Sequence, residues 1–231
     1  MSLSEELKDQ VKKIFSEQWS KRDGQQVPDS EDLKLSNDAV MLDGTVLYAD
    51  LSGSTKLVDS YKDSFAAEIY KTYLHCAAKI ITSEGGAITA YDGDRIMAVF
   101  IGDFKNSSAA RSGLKINYAV RNIVNPALKA QYPSITYEVK QAVGIDTSKL
   151  FVARTGIRGS NDLVWVGRAA NYAATLSNLS NYGPTWITAD VYNRLIESVK
   201  TTNGKPMWEA MRWTAMNNLS IYRSAWLWAV K

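Results

Sequence analysis

The chain has one cysteine, Cys76, and one histidine, His75, in 231 residues. A single cysteine excludes an intrachain disulfide, and a reducing compartment such as the cytoplasm is the simplest home. A lone His beside a lone Cys, both inside one predicted helix, excludes a zinc cluster and gives thiol catalysis no partner. No apolar run approaches the ~20 residues of a membrane span. The first residues, Ser2-Leu3-Ser4-Glu5-Glu6-Leu7-Lys8, read as a charged helix rather than a signal peptide. No Lys/Arg block is longer than a pair and the net charge is only +3, too weak for nucleic-acid binding. What remains is ordinary: 45% hydrophobic and 22% charged residues, enough for a sizeable core.

The periodicity divides the chain into residues 1–38, an N-terminal helix and linker, and residues 39–231, one catalytic-size domain. Leu7, Val11, Ile14, Phe15 and Trp19 recur at helical spacing over residues 4 to about 20. Residues 21–38 are polar and read as a linker. A strand at 43–50 leads to one helix from Ser54 to about Glu84, then to the hairpin strands 87–92 and 95–101. Asn106 or Ser107 caps a helix to about 129. Strands follow at 135–146 and 150–154, and the Gly/Ser/Asn-rich stretch 156–162 reads as a loop. A helix covers 167–179, a strand 185–188, a helix 190–200, and two strands finish the chain near 207–215 and 219–230. From residue 43 this is β-α-β-β-α-β with extra strands, the ferredoxin-like plan of an α+β fold. An antiparallel sheet with helices on one face is expected. The seven tryptophans and twelve tyrosines suit core packing, or a second subunit on the open face.

Two carboxylates stand out in apolar surroundings. Asp50 closes Val46-Leu47-Tyr48-Ala49, and Ser52-Gly53-Ser54-Thr55 then opens a helix. Asp94 follows Asp92-Gly93 and precedes Ile96-Met97-Ala98-Val99-Phe100. An ionised Asp among apolar residues is costly unless a positive charge compensates it. Two strand-end carboxylates that converge suit Mg²⁺, which accepts one or two carboxylates and phosphate oxygens. The backbone amides of Ser52 to Thr55, at a helix start, suit a phosphate. The pair points to nucleotide chemistry.

These segments resemble the catalytic domain of the class III nucleotidyl cyclases. Ala49-Asp50-Leu51-Ser52-Gly53-Ser54-Thr55 is similar to the family's first metal-binding segment, and Gly93-Asp94-Arg95-Ile96-Met97-Ala98-Val99-Phe100 to its second. Gly167-Arg168-Ala169-Ala170-Asn171-Tyr172-Ala173 resembles the helix start that supplies a catalytic Asn, here Asn171, and Val143-Gly144-Ile145-Asp146-Thr147 resembles a structural strand. The resemblance implies two Mg²⁺ or Mn²⁺ ions held by Asp50, Asp94 and the Leu51 carbonyl. It further implies attack of a ribose 3′ oxygen on the α-phosphorus, and a homodimer whose sites join Asp50 and Asp94 of one chain to Asn171 of the other.

Three positions depart from the adenylate cyclase pattern. The purine-reading Lys is replaced by Ala90, the second base reader by Val164, and the transition-state Arg by Thr175. Loss of both base readers with the metal residues kept resembles the pyrimidine cyclases of bacterial anti-phage defence, the Pycsar type. That resemblance implies UTP as substrate, cyclic UMP as product and a separate effector protein that the product activates. Cyclic CMP synthesis, an adenylate or guanylate cyclase with unconventional base contacts, and a silent nucleotide-binding domain stay open. Tyr48 and Trp165 are candidate rings beside the base, and Asp92 a candidate contact to its edge. Arg168 is the first candidate to replace the missing Arg, with Arg154 and Arg158 behind it.

Overall fold

The computed structural model describes residues 1–179 and 184–230. The elements in chain order are α1 (Leu3–Ser16), β1 (Ser20–Asp23), β2 (Asp38–Leu51), α2 (Ser54–Ser60), α3 (Asp63–Ser83), β3 (Ala87–Asp92), β4 (Arg95–Phe100), α4 (Lys105–Ala119), α5 (Asn125–Gln131), β5 (Gln141–Ile157), β6 (Ser160–Val166), α6 (Arg168–Leu176), β7 (Thr185–Thr188), α7 (Ala189–Asn193), α8 (Glu197–Lys200), β8 (Thr201–Thr202), β9 (Lys205–Pro206), β10 (Glu209–Trp213) and β11 (Leu219–Ser224). They form two compact units: Met1–Asp43 with Lys149–Gly167, and Gly44–Ser148 with the chain from Arg168 onward.

The larger unit carries strands in the order β10-β11-β7-β5-β2-β4-β3. Its β5-β2-β4-β3 part is the ferredoxin-like order that the alternation of elements predicts. Antiparallel pairing dominates, and β5 with β7 is parallel. Helix α3 covers the sheet with Phe65, Ala66, Ile69, Tyr73, Ala77, Ile80 and Ile81, a stripe at three- and four-residue spacing. That stripe meets Leu47, Ala49 and Leu51 of β2 and Ile96, Ala98 and Phe100 of β4 in one core. Gly86 lets β3 begin against this core: a Cβ there would lie 2.5 Å from the Phe100 ring.

One helix departs from the one-sided plan. A Cβ on Gly113 of α4 would approach Val143 at 3.4 Å, whereas one on Gly144 would meet α6, 2.1 Å from the Ala173 carbonyl and 2.5 Å from the Ser177 amide. Neighbouring residues of a strand point to opposite faces, so α6 lies across the sheet from α4. The small residues Ala169, Ala170 and Ala173 permit that approach.

Several boundaries differ from the periodicity, each for a local reason. The long helix is broken because Tyr61 takes an extended conformation (φ −130°, ψ 166°) and packs its ring 4.9 Å from Phe65 and 5.6 Å from Tyr137. Asn106 and Ser107 do not cap α4. They are buried, accepting from the Thr45 hydroxyl and the Ile196 amide, and α4 starts after Phe104 without a side-chain cap. Residues 120–124 widen to a π-turn, just before Pro126, which cannot donate to the helix ladder. Asn125 there accepts from the Val139 amide (2.8 Å) and donates to its carbonyl (3.0 Å), so 135–140 is held by side-chain bonds rather than starting the strand. Thr188, not Asp190, caps α7.

In the smaller unit, β1 runs parallel to the first part of β2, Ser20 opposite Asp38, where a polar linker was expected. The stretch read as a loop is a hairpin: β6 pairs with the second part of β5, from Phe151–Val166 to Ile157–Ser160. Gly159, at φ +83°, supplies the left-handed turn. Helix α1 opens on a Ser2/Glu5 capping box, and Asn37 ties its end by donating to the carbonyls of Ile14 and Glu17 (2.8 Å each).

The close approach of α6 at Gly144 predicts that Gly144→Ala lowers the unfolding free energy by about 2–3 kcal/mol, because backbone rather than a pliable side chain blocks the added methyl. Urea denaturation followed by circular dichroism reads this directly.

Candidate active site

Strand register builds the site. Asp50 pairs with Arg95, Tyr48 with Met97, Ala90 with Met97 and Asp92 with Arg95, so these six residues share one face of β2, β3 and β4. Asp94 precedes Arg95 at the end of the Asp92-Gly93-Asp94 turn, where Gly93 sits at φ +60°. The two carboxylates therefore converge at adjoining strand ends. Both are half-buried. Burial first, and then the charge of Asp94, pushes the Asp50 pKa up to about 6, with Arg95 and a backbone bond from Leu51 pulling the other way. Asp94 Oδ2 is buried with no hydrogen-bond partner.

Arg95 was not singled out by its sequence context. Its guanidinium lies 5.4 Å from the centre of the Tyr48 ring and 3.2 Å from Asp92, so Asp92 is engaged within its own turn. The signal was its position directly after Asp94, opposite Asp50.

The turn after Asp50 is partly spent. The Ser52 amide donates to the Lys140 carbonyl at 2.8 Å, which withdraws it from the expected phosphate cradle. Gly53 adopts φ +76°, a conformation that needs glycine, and starts the two-turn helix α2. The amides of Gly53, Ser54 and Thr55 stand at that helix start, where no intrahelical acceptor exists.

Arg168 does not offer a free guanidinium. Its Nε and Nη2 donate to the Asp146 carboxylate at 3.0 and 3.2 Å, and Nη2 also reaches the Thr147 carbonyl (3.0 Å) and Asp190. Asp146 is fully buried, takes a further bond from Thr188, and has its pKa raised because burial outweighs these partners. Arg168 is thus a clamp at the start of α6, and stabilisation of developing phosphate charge by it is not supported. Arg154 is likewise committed, to Asn161 (2.8 Å) and the Leu33 carbonyl (3.1 Å).

Asn171 lies exposed on α6, where the Thr175 hydroxyl donates to its backbone carbonyl at 2.8 Å. Val164 and Trp165 belong to the smaller unit, on opposite faces of β6, opposite Ala153 and Val152. The structure brings together Asp50, Asp94, Tyr48, Ala90 and Asp92 with the Ser52–Thr55 turn.

The carboxylates fit a divalent cation. A buried oxygen without a donor and a neighbouring carboxyl held up by like charge are both relieved by one. No group of three or more His, Cys, Asp or Glu that could hold a metal occurs among the described residues. Two carboxylates, the Leu51 carbonyl and substrate oxygens are the donor set a hard cation such as Mg²⁺ accepts.

Solved structures similar to this chain share its architecture. The adenylyl cyclase CyaB from P. aeruginosa superposes with a TM-score of 0.68 at 22% identity, covering 80% of this chain and 95% of that one. The guanylyl cyclase Cya2 gives a TM-score of 0.68 at 19% identity, covering 81% and 94%. The fold is that of the class III nucleotidyl cyclases. No family model matches the chain. Curated relatives match along its whole length: uridylate cyclases from Xanthomonas perforans (55% identical, 100% of both chains), Burkholderia cepacia (53%, 100% of both) and Rhodovulum sp. strain MB263 (36%, 98% of this chain and 97% of the relative). The chain belongs to the uridylate cyclase family.

Two variants follow from this geometry. Arg168→Met leaves the buried Asp146 carboxylate without its cationic partner, and is expected to cost about 3 kcal/mol in urea denaturation, much of it recovered in the double variant with Asp146→Asn. A raised carboxyl pKa means that the folded chain binds the proton more tightly than the unfolded one. The penalty of ionised Asp50 is therefore absent below about pH 4 and complete above about pH 6. In chelator-treated protein, Asp50→Asn should stabilise by about 1 kcal/mol at pH 7, solvent access reducing the nominal value, and by nothing at pH 4.

Proposed function

We propose that this protein is a uridylate cyclase that closes UTP to 3′,5′-cyclic UMP and releases pyrophosphate. The observation that carries the reading is the convergence of Asp50 and Asp94 beside an open helix start, in a chain of this family. Asp50, Asp94 and the Leu51 carbonyl would hold two Mg²⁺ or Mn²⁺ ions. Such ions, when bound, polarise the phosphate and favour ionisation of the attacking hydroxyl. The amides of Gly53, Ser54 and Thr55 donate to phosphate oxygens, which a helix start favours. The 3′ oxygen forms its bond to the α-phosphorus as the bond to the bridging oxygen of pyrophosphate breaks.

Selection of a small base is supported by the face that Tyr48 and Arg95 share with Asp50. Ala90 offers no polar group for a purine edge, while the Tyr48 ring and the Arg95 guanidinium, 5.4 Å apart, put bulk and flat surface on that face, which supports a one-ring base. Asn171, exposed and on a rigid helix, is available to the site of a second copy, which supports a homodimer with shared sites. Among the described residues no helix is long and apolar enough to cross a membrane. We further propose that the product acts as a second messenger in anti-phage defence, through a separate effector.

Incubation of the purified protein with each of the four nucleoside triphosphates and Mn²⁺ tests the reading. Cyclic UMP and pyrophosphate are expected from UTP, with at most traces from ATP, GTP and CTP. Asp50→Asn and Asp94→Asn should each lower the rate about 100-fold or more with unchanged circular dichroism. Equal turnover of all four substrates, or full activity in both variants, would overturn it.

A further inference from the structure

Helix α1 is amphipathic, yet its apolar side covers nothing. Leu3, Leu7, Val11 and Ile14 recur at three- and four-residue spacing, the pattern that α3 buries against the sheet. In α1 these four stay exposed, from 71% at Leu3 to 47% at Ile14, with Phe15 at 86% beside them. Among the described residues, none of α1 is buried. A helix of 14 residues is marginal by itself, and helices in proteins draw most of their stability from packing an amphipathic face. The chain secures only the two ends. The Ser2/Glu5 capping box starts the helix, Asn37 donates to the Ile14 and Glu17 carbonyls, and Trp19 packs 4.8 Å from Phe151 just beyond it. The stripe between is presented without being used. Leu35, exposed as well, lines a hollow with Ile14 and extends the apolar surface past the helix end.

The charges along α1 indicate what covers it. Glu5 and Glu6 lie in the first turn, and Lys12 and Lys13 toward the other end. An identical helix laid antiparallel sets each acidic turn beside a basic one and opposes the two helix dipoles. A parallel copy would set like charges together. We propose that α1 is a pairing surface for a second copy of this chain, the two α1 helices packing antiparallel across a two-fold axis. With the axis level with Asp9, Leu7 of one copy lies against Val11 of the other and Leu3 near Ile14, so the whole stripe is shared. The helix is ~21 Å long. Such a pair buries on the order of half of the ~800 Å² per partner of a standard interface, so it strengthens an assembly that has contacts elsewhere too. The inference deepens the proposed homodimer and rests on it.

The test is sedimentation equilibrium of the full chain over a wide concentration range, beside Val11→Lys. Val11 is exposed, so the variant should keep its circular dichroism. Its dimer Kd should rise about 30-fold or more, because the helix pair would then enclose two facing cations. Orientation is read by mild oxidation in a Cys76→Ala background, with no destabilising substitution in the stripe. Leu7→Cys mixed with Val11→Cys should cross-link, whereas Leu3→Cys alone should not, its two copies lying about 18 Å apart along the pair. An unchanged Kd in Val11→Lys, with the full chain dimeric, would overturn the role of α1 and leave the homodimer standing. A full chain that is monomeric throughout would overturn the homodimer reading and this inference with it. Cross-linking of Leu3→Cys to itself would overturn the antiparallel arrangement.

Discussion

Two carboxylates of like charge, half-buried at adjoining strand ends, are the constraint around which the larger unit is arranged. Water does not fully screen them, and among the described residues Arg95 is the cation that opposes their repulsion at Asp50. A sheet edge built this way is costly to the apo fold and is held in place by what lies beneath it. The Phe65–Ile81 stripe of α3 packs against the core residues of β2 and β4, and the tight turn at Gly93 joins β4 to β3 beside them. The result is a preorganised negative site, assembled before any ligand arrives.

The opposite electrostatic arrangement occurs at the start of α6. There the buried Asp146 carboxylate accepts from a forked Arg168, from the Thr188 hydroxyl and from the Thr147 backbone, so its charge has partners inside the chain. The two sites use the same residue types to different ends. Asp146 fixes a helix, and through it the exposed Asn171, while Asp50 and Asp94 leave their charge open to a ligand.

The sheet order β5-β2-β4-β3 and the convergence of Asp50 and Asp94 were legible in the sequence, because each rests on short-range signals. Apolar strands bounded by Gly turns set the order, and two acidic residues stood where apolar ones should be. What escaped was decided by contacts distant in sequence. Ser160–Val166 looks like a loop until it is paired with the end of β5, and the polar segment Ser20–Asp23 becomes a strand only through Asp38–Met41. Arg168 looks free because its partners Asp146 and Asp190 each lie 22 residues away. The α4 caps were misread for the same reason: Asn106 and Ser107 have the right chemistry, but spend it on Thr45 and Ile196.

The π-turn at residues 120–124 has a geometric outcome for the far end of the molecule's second long helix. One extra residue in a turn advances the helix phase by about 100°. After it, Leu128 and Tyr132 line a small hollow with Ile69 and Thr72 of α3, and the Tyr132 hydroxyl donates to Glu68. The turn thus sets which side of α5 meets α3, in a rod whose first part, α4, already packs against both that helix and the sheet.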